Sequence, residues 1–108
     1  MQRLKQAGRK SELVARAVKP RPALSVLDCT AGLAKEAFLL AHLGCEVTLL
    51  ERSPVIALMV TDAIRQASED EFLAPAARRM SLQTVDAAHF LKTTTQLFDV
   101  IYIDPMFP

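Results

Sequence analysis

Along the chain, hydrophobic and polar positions switch between two periods. Short apolar runs closed by an acid recur as "ALSVLD" (23–28), "EVTLLE" (46–51), "SLQTVD" (81–86) and "FDVIYID" (98–104). Such runs predict strands buried on both faces of a sheet. Between them the period becomes helical. In "CTAGLAKEAFLLAHLG" (29–44), Leu33, Ala37, Leu40 and Ala41 share one face and Gly44 stands where a helix stops. Ser53 and Pro54 form a cap and first-turn pair for a second helix, with Ile56, Met59, Val60, Ala63, Ile64 and Ala67 as its apolar stripe. "SEDEFLAPAARR" (68–79) reads as a polar crossover with some helix, and "AAHFLKTT" as a short helix or turn. Near the start, Ser11 caps a short helix carrying Leu13, Val14, Ala17 and Val18, which "KPRP" ends.

Strands alternating with helices predict the α/β class: a doubly wound, mainly parallel sheet with right-handed crossovers and helices on both faces. In the common order 3-2-1-4-5-6, the fourth strand of four lies at an edge. "VIYI" (100–103) would then be an exposed apolar edge, a feature that intact proteins avoid. The expectation is that the chain is a fragment, or that another chain covers this edge. A full-length protein is expected to be a monomer, and the fragment to self-associate through its edge strand. Two segments follow: a basic helical lead-in at 1–22 and a ligand-binding half-domain at 23–108.

Composition narrows the class. At 108 residues, 51% of them hydrophobic and 23% charged, the chain has apolar material for one modest core and is not a disordered segment. It shows no membrane-spanning run and no signal-type stretch after Met1, so a cytoplasmic location is expected. Cys29 and Cys45 lack metal-ligand spacing and read as reduced thiols, and no metal is called for. The net charge of +1 conceals an asymmetry: residues 1–21 carry seven basic side chains against Glu12, and the remainder is acidic. The basic arm is a candidate for contact with nucleic acid phosphate.

In an open parallel sheet, ligands sit outside the carboxyl ends of the strands. Here all four ends carry an acid: Asp28, Glu51, Asp86 and Asp104. A dinucleotide needs a glycine-rich first turn to receive its pyrophosphate on a helix N-terminus, and an acid beside that phosphate is poorly placed. The turn "DCTAGLA" has Gly32 as its one glycine. S-adenosylmethionine carries a sulfonium and an ammonium in place of phosphate, so an acidic rim suits it. Glu51 lies where an acid can accept hydrogen bonds from both ribose hydroxyls.

"DPMFP" (104–108) is the most specific stretch. The lone pair of an exocyclic base amine is delocalised into the ring. Acceptors that hold its N–H bonds, the Asp104 carboxylate and the Pro105 carbonyl, would orient that lone pair toward a methyl donor. Phe107 would stack on the base. Asp104, Pro105 and Phe107 are therefore the candidate catalytic residues.

"VLDCTAGLAKEAFLLAHLGCEVTLLERSP" followed by "IYIDPMFP" resembles the bacterial small-subunit ribosomal RNA guanine-N2 methyltransferases of the RsmJ type. The resemblance runs from about Arg3 onward. It implies a Rossmann-like class I S-adenosylmethionine-dependent methyltransferase fold, here partial with about four strands. It further implies 16S ribosomal RNA or the small ribosomal subunit as partner, and methyl transfer to a guanine N2. Members of the family are longer, so the chain reads as a cofactor-binding half.

By position, the resemblance implies cofactor contacts at Asp28, Gly32, Lys35, Glu36, Glu51, Arg52, Asp86, Ala88, His89 and Asp104. Lys35 and Glu36 stand where the family has an Arg-Asp pair, and Ala88 and His89 where it has two serines. Ala34 replaces a second glycine of the turn, so its methyl must either crowd the ligand or shift the backbone. Other readings are an amino-methyltransferase acting on adenine N6, against which Met106 weighs, and a non-catalytic dinucleotide-binding or RNA-binding remnant.

Overall fold

The computed structural model describes residues 13, 16–29 and 34–103. Ser11, Val14, Gly32, Leu33, Asp104, Pro105 and Phe107, and with them the first part of the basic arm, lie outside the described residues.

Four strands, β1 (Ser25–Asp28), β2 (Glu46–Leu50), β3 (Met80–Gln83) and β4 (Val100–Tyr102), form one sheet in the order β3-β2-β1-β4. Every ladder is parallel. The register sets Asp28 level with Leu49 on one side and Tyr102 on the other, and Leu50 level with Gln83. The connections carry α1 (Lys35–His42), α2 (Pro54–Ser68), α3 (Ala74–Arg78) and α4 (Ala87–Thr93).

Paired residues of parallel strands share a face, so the register divides the core in two. On one side Val26, Val47 and Leu49 pack with Ala37, Leu40 and Ala41 of α1, Val60 of α2 and Ala76 of α3. On the other side Leu27 and Leu50 pack against Phe90 of α4, whose ring centroid lies 6.2 Å from that of Phe98. β1 and β2 are buried on both faces, which is why their apolar runs are nearly unbroken. This is the doubly wound arrangement expected from the alternation of periods.

Local chemistry explains where the helices begin and end. Gly44 at φ +106 lets the chain leave α1, with its N–H donating to the Ala41 carbonyl (3.0 Å) and the Cys45 N–H to Leu40 (3.0 Å). The Arg79 guanidinium also donates to Ala41 O from β3's side of the sheet (3.0 Å). Ser53 caps α2 as expected, its hydroxyl accepting from the Ile56 N–H at 3.3 Å with Pro54 in the first turn.

Several expectations shift. Val18 is buried, but Leu13 and Ala17 are exposed, so less of the lead-in helix reaches the core. On α2 the buried positions are Ala57, Val60 and Ala67, flanked by Ile56 and Ile64, while Met59 and Ala63 are exposed. The stripe is rotated toward Ala57, whose small side chain allows close approach to the sheet. The segment 68–79 is more than a polar crossover. Asp70 accepts from the Phe72 and Leu73 N–H groups, and α3 then buries Ala74, Ala76 and Ala77. β1 reaches its acid, Asp28, but β2 and β3 stop short of theirs: they end at Leu50 and Gln83, Glu51 follows β2 directly and Asp86 lies three residues past β3. β4 lies at the sheet edge, as the strand order predicted, with Ile101 51% and Ile103 57% exposed.

Candidate functional site

Because every ladder is parallel, the carboxyl ends of the strands meet on one rim, in the order β3, β2, β1, β4. β1 feeds α1 on one face of the sheet, whereas β4 is entered from α4 on the other. The strand order therefore reverses between β1 and β4, the position at which such sheets open a crevice.

Asp28 ends β1 and is 3% exposed, the one buried charged side chain among the described residues. Burying an ionised carboxylate is costly unless hydrogen bonds or opposite charge compensate, so Asp28 is more constrained than the half-buried Glu51 or the exposed Asp86. Among the described residues no buried side-chain nitrogen or oxygen lacks a hydrogen-bond partner. Beside it, Cys29 donates its N–H to Tyr102 O at 3.0 Å, so the chain leaving β1 stays tied to β4. Burial, and secondarily the Asp28 charge, push the Cys29 thiol above its ordinary value. It is a poor nucleophile there and packs with Leu27 and Phe90.

Glu51 follows β2 and is half-buried. Its N–H donates to Gln83 O (3.1 Å) and its carbonyl accepts from the Val85 N–H (3.1 Å), so its backbone is fixed to the exit of β3. Its Oε1 accepts from the Ser53 N–H at 3.1 Å. Arg52 is exposed. Asp86 is exposed at the N-cap of α4, where its carbonyl, not its carboxylate, takes the Phe90 N–H (2.9 Å). Ala88 and His89 are exposed in the first turn of α4. Lys35 is exposed and Glu36 half-buried in the first turn of α1.

Ala34 adopts φ +65 and ψ +19 and packs into the larger core cluster. Its backbone thus keeps the left-handed conformation that favours glycine, and its methyl is accommodated by the core. The fold gathers Asp28, Glu51 and Asp86 along the rim. Gly32 and the candidate catalytic residues Asp104, Pro105 and Phe107 lie outside the described residues, Asp104 following Ile103 directly. The hold of Ser53 on Glu51 was not anticipated. An acid two residues before a helix-capping serine is the signal that could have revealed it.

A family model described as "Putative SAM-dependent methyltransferase" matches residues 1–108. The chain belongs to this family. Members use S-adenosylmethionine, the cofactor that the acidic, glycine-poor rim led us to expect. Curated relatives named "Ribosomal RNA small subunit methyltransferase J" include one from Coxiella burnetii, 45% identical over 103 residues. That match covers 94% of this chain and 40% of the relative. One from Thioalkalivibrio sulfidiphilus is 48% identical, covering 92% of this chain and 40% of the relative. The resemblance to the RsmJ type is thereby borne out, and the chain spans about 40% of the length of the curated relatives it matches.

Among solved structures, the SAM-dependent methyltransferase NGO1261 from Neisseria gonorrhoeae superposes with a TM-score of 0.80 at 38% identity. It is covered over 89% of this chain and 41% of its own. A glycopeptide N-methyltransferase, MtfA, in complex with sinefungin shares the fold with a TM-score of 0.69 at 23% identity. No helix of the described residues is long and apolar enough to cross a membrane. Among them no cluster of three or more histidine, cysteine, aspartate or glutamate side chains could hold a metal ion.

Proposed function

We propose that this chain forms the cofactor-binding part of an enzyme that methylates the N2 amine of a guanine in 16S ribosomal RNA, within the small ribosomal subunit. The observation that carries the proposal is the acidic rim, with Asp28 buried in it, in a chain 45% identical over 103 residues to a relative named for small-subunit ribosomal RNA methylation.

The donor set fits S-adenosylmethionine. Carboxylates favour a ligand with positive centres and hydroxyl groups, and would repel a pyrophosphate. When bound, the cofactor supplies an electrophilic methyl group. Asp28, in the low-dielectric end of β1, provides a negative potential at the crevice. Glu51 accepts from the ribose hydroxyls. Asp86, Ala88 and His89 line the far side of the rim, and Lys35, Glu36, Arg52 and Gly32 complete the cofactor contacts.

On the acceptor side, Asp104 and the Pro105 carbonyl hold the N–H bonds of the guanine amine, and Phe107 stacks on the base. Positioning and electrostatics then carry the transfer, and the target base must be unstacked to reach the loop. The basic arm, with Arg16, Lys19 and Arg21 as its described members, contacts RNA phosphate.

Two measurements test this reading. Calorimetric titration of S-adenosylhomocysteine should give saturable binding that Glu51→Ala weakens, with no binding of NAD. Small ribosomal subunits lacking the modification, offered to the protein with labelled S-adenosylmethionine, should gain label at a guanine N2. Binding of NAD in preference to S-adenosylhomocysteine would refute the cofactor assignment, and label at an adenine N6 would refute the acceptor.

A further inference from the structure

We propose that Ser53 is a positioning residue for Glu51: its backbone N–H fixes the carboxylate so that Oε2 is presented to the cofactor. The inference rests on the reading of Glu51 as the acceptor for the ribose hydroxyls. Glu51 is anchored at three points. Two are backbone bonds to Gln83 and Val85, which fix its Cα. The third is the 3.1 Å bond from the Ser53 N–H to Oε1. Among the described residues Oε2 has no hydrogen-bond partner, and Oε1 keeps a second lone pair.

The donor is itself rigid. The Ser53 hydroxyl accepts from the Ile56 N–H at 3.3 Å, its carbonyl accepts from the Ala57 N–H at 2.9 Å, and Pro54 follows at the first position of α2. The N–H therefore points from the start of a helix of 15 residues, whose N-terminal end also favours a negative charge. A solvent-facing glutamate would have to lose its rotamer freedom on binding, whereas here the carboxylate is held beforehand.

Ser53 thus does two jobs with two different atoms. The hydroxyl caps α2, and the N–H orients Glu51. The two can be separated because Ser53 sits at φ −77, which proline also adopts. Ser53→Ala deletes the hydroxyl and keeps the N–H. Ser53→Pro deletes both without forcing a new φ.

The experiment is calorimetric titration of S-adenosylhomocysteine, and of its analogue lacking the ribose 2′- and 3′-hydroxyls, into the unmodified chain and both variants. Ser53→Ala should bind S-adenosylhomocysteine within about twofold of the unmodified chain, and Ser53→Pro about tenfold more weakly, the loss of one oriented hydrogen bond to a charged group. Toward the analogue, the two variants should agree within about twofold. The ratio of the two affinities does not depend on any unfolded fraction, since both ligands titrate the same folded molecules.

Equal affinities of Ser53→Pro and Ser53→Ala for S-adenosylhomocysteine would overturn the proposal. So would a loss in Ser53→Pro that is the same for both ligands, since that marks general damage. In the unmodified chain, the Ser53 amide proton resonance should move as the Glu51 carboxyl is protonated and cease to do so in Glu51→Gln; an amide indifferent to that protonation overturns the proposal without any change at Ser53. If the unmodified chain binds both ligands equally and Glu51→Gln changes neither, the ribose reading itself has failed, and the role of Ser53 falls with it.

Discussion

Ser25 and Asp99 hold each other reciprocally at the entrance of the paired strands β1 and β4. The Ser25 N–H and hydroxyl both donate to Asp99 Oδ2 (2.8 and 3.0 Å), and the Asp99 N–H donates back to Ser25 Oγ and O (2.9 and 3.0 Å). Asp99 immediately precedes β4, whose first residue pairs with Val26. The clamp therefore sets the β1–β4 register at the opposite end of the sheet from the rim, where that register brings Asp28 level with Tyr102. The hydrogen bond from the Ser25 N–H, then that from its hydroxyl, holds the Asp99 carboxyl below its ordinary value.

A depressed native value means that the unfolded chain takes up the proton first as pH falls. The Asp99 contribution to stability is complete above the unfolded carboxyl's value of about 3.9, declines below it, and is gone once the pH has passed the lower native value. Asp99→Asn should therefore lower the urea midpoint at pH 7, and the gap between variant and unmodified chain should close as pH is taken down through that window. A gap that stays constant down to acid pH would mean that the carboxylate charge contributes nothing to the clamp.

Three positions in the left-handed region allow a second test, because the same conformation is met by different residues. Ala23 is exposed at φ +66, third in a turn closed by the Leu24 N–H donating to Arg21 O, with Pro22 second. That third position favours glycine. Ala23→Gly should stabilise by about 0.5–1 kcal/mol, the left-handed strain of alanine less the entropy glycine adds to the unfolded chain. Gly44→Ala should destabilise by about 1–2 kcal/mol, since a Cβ there would also stand 3.1 Å from Pro22 Cα. Ala34→Gly should lie within about 1 kcal/mol of the unmodified chain, relief of strain being offset by the loss of a buried methyl. Thermal or urea unfolding of the three variants gives the order directly.

Arg79 supplies a third prediction. Its guanidinium donates to Ala41 O, one of the last carbonyls of α1, and its own carbonyl accepts the Val47 N–H. Arg79→Met should cost about 1–2 kcal/mol, the loss of a partly buried hydrogen bond from a charged donor. Arg78→Met, at an exposed neighbour, should stay within about 0.5 kcal/mol. Equal losses in the two variants would mean that Arg79 acts only through general charge.

Strand and helix order, the parallel sheet and the edge position of β4 were all legible in the sequence, because burial on two faces writes an unbroken apolar run and helices on a sheet write a period near 3.6. The caps at Ser53 and Gly44 were legible because their chemistry is local. The rotation of the α2 stripe was not, since Ala57 and Ala63 are the same residue in sequence and only the sheet beneath decides which is covered. α3 was only half legible, because alanines bury without raising the apolar signal much above that of the acids preceding them. The acids of the rim could be named from sequence, but not how they are held. Asp28 is buried and Asp86 exposed although both follow apolar runs, and the bond from Ser53 to Glu51 depends on how the chain turns between β2 and α2.

The edge of the sheet carries the last prediction. Among the described residues no strand pairs with the outer side of β4, and Ile101 and Ile103 lie largely exposed on the same face, that of Leu27. An unpaired apolar edge is a template for another strand, and in natural sheets it is covered, shortened or charged. We therefore expect this 108-residue chain to self-associate through β4, and Ile101→Lys to suppress that association by placing a charge at the edge. Leu58→Lys should not, although Leu58 is 71% exposed, because it lies on α2 away from β4. Sedimentation velocity over a concentration series distinguishes the two. If the unmodified chain stays monomeric throughout the series, the edge is protected by some other means; if both substitutions disperse the assembly equally, general apolar exposure, and not strand pairing, drives it.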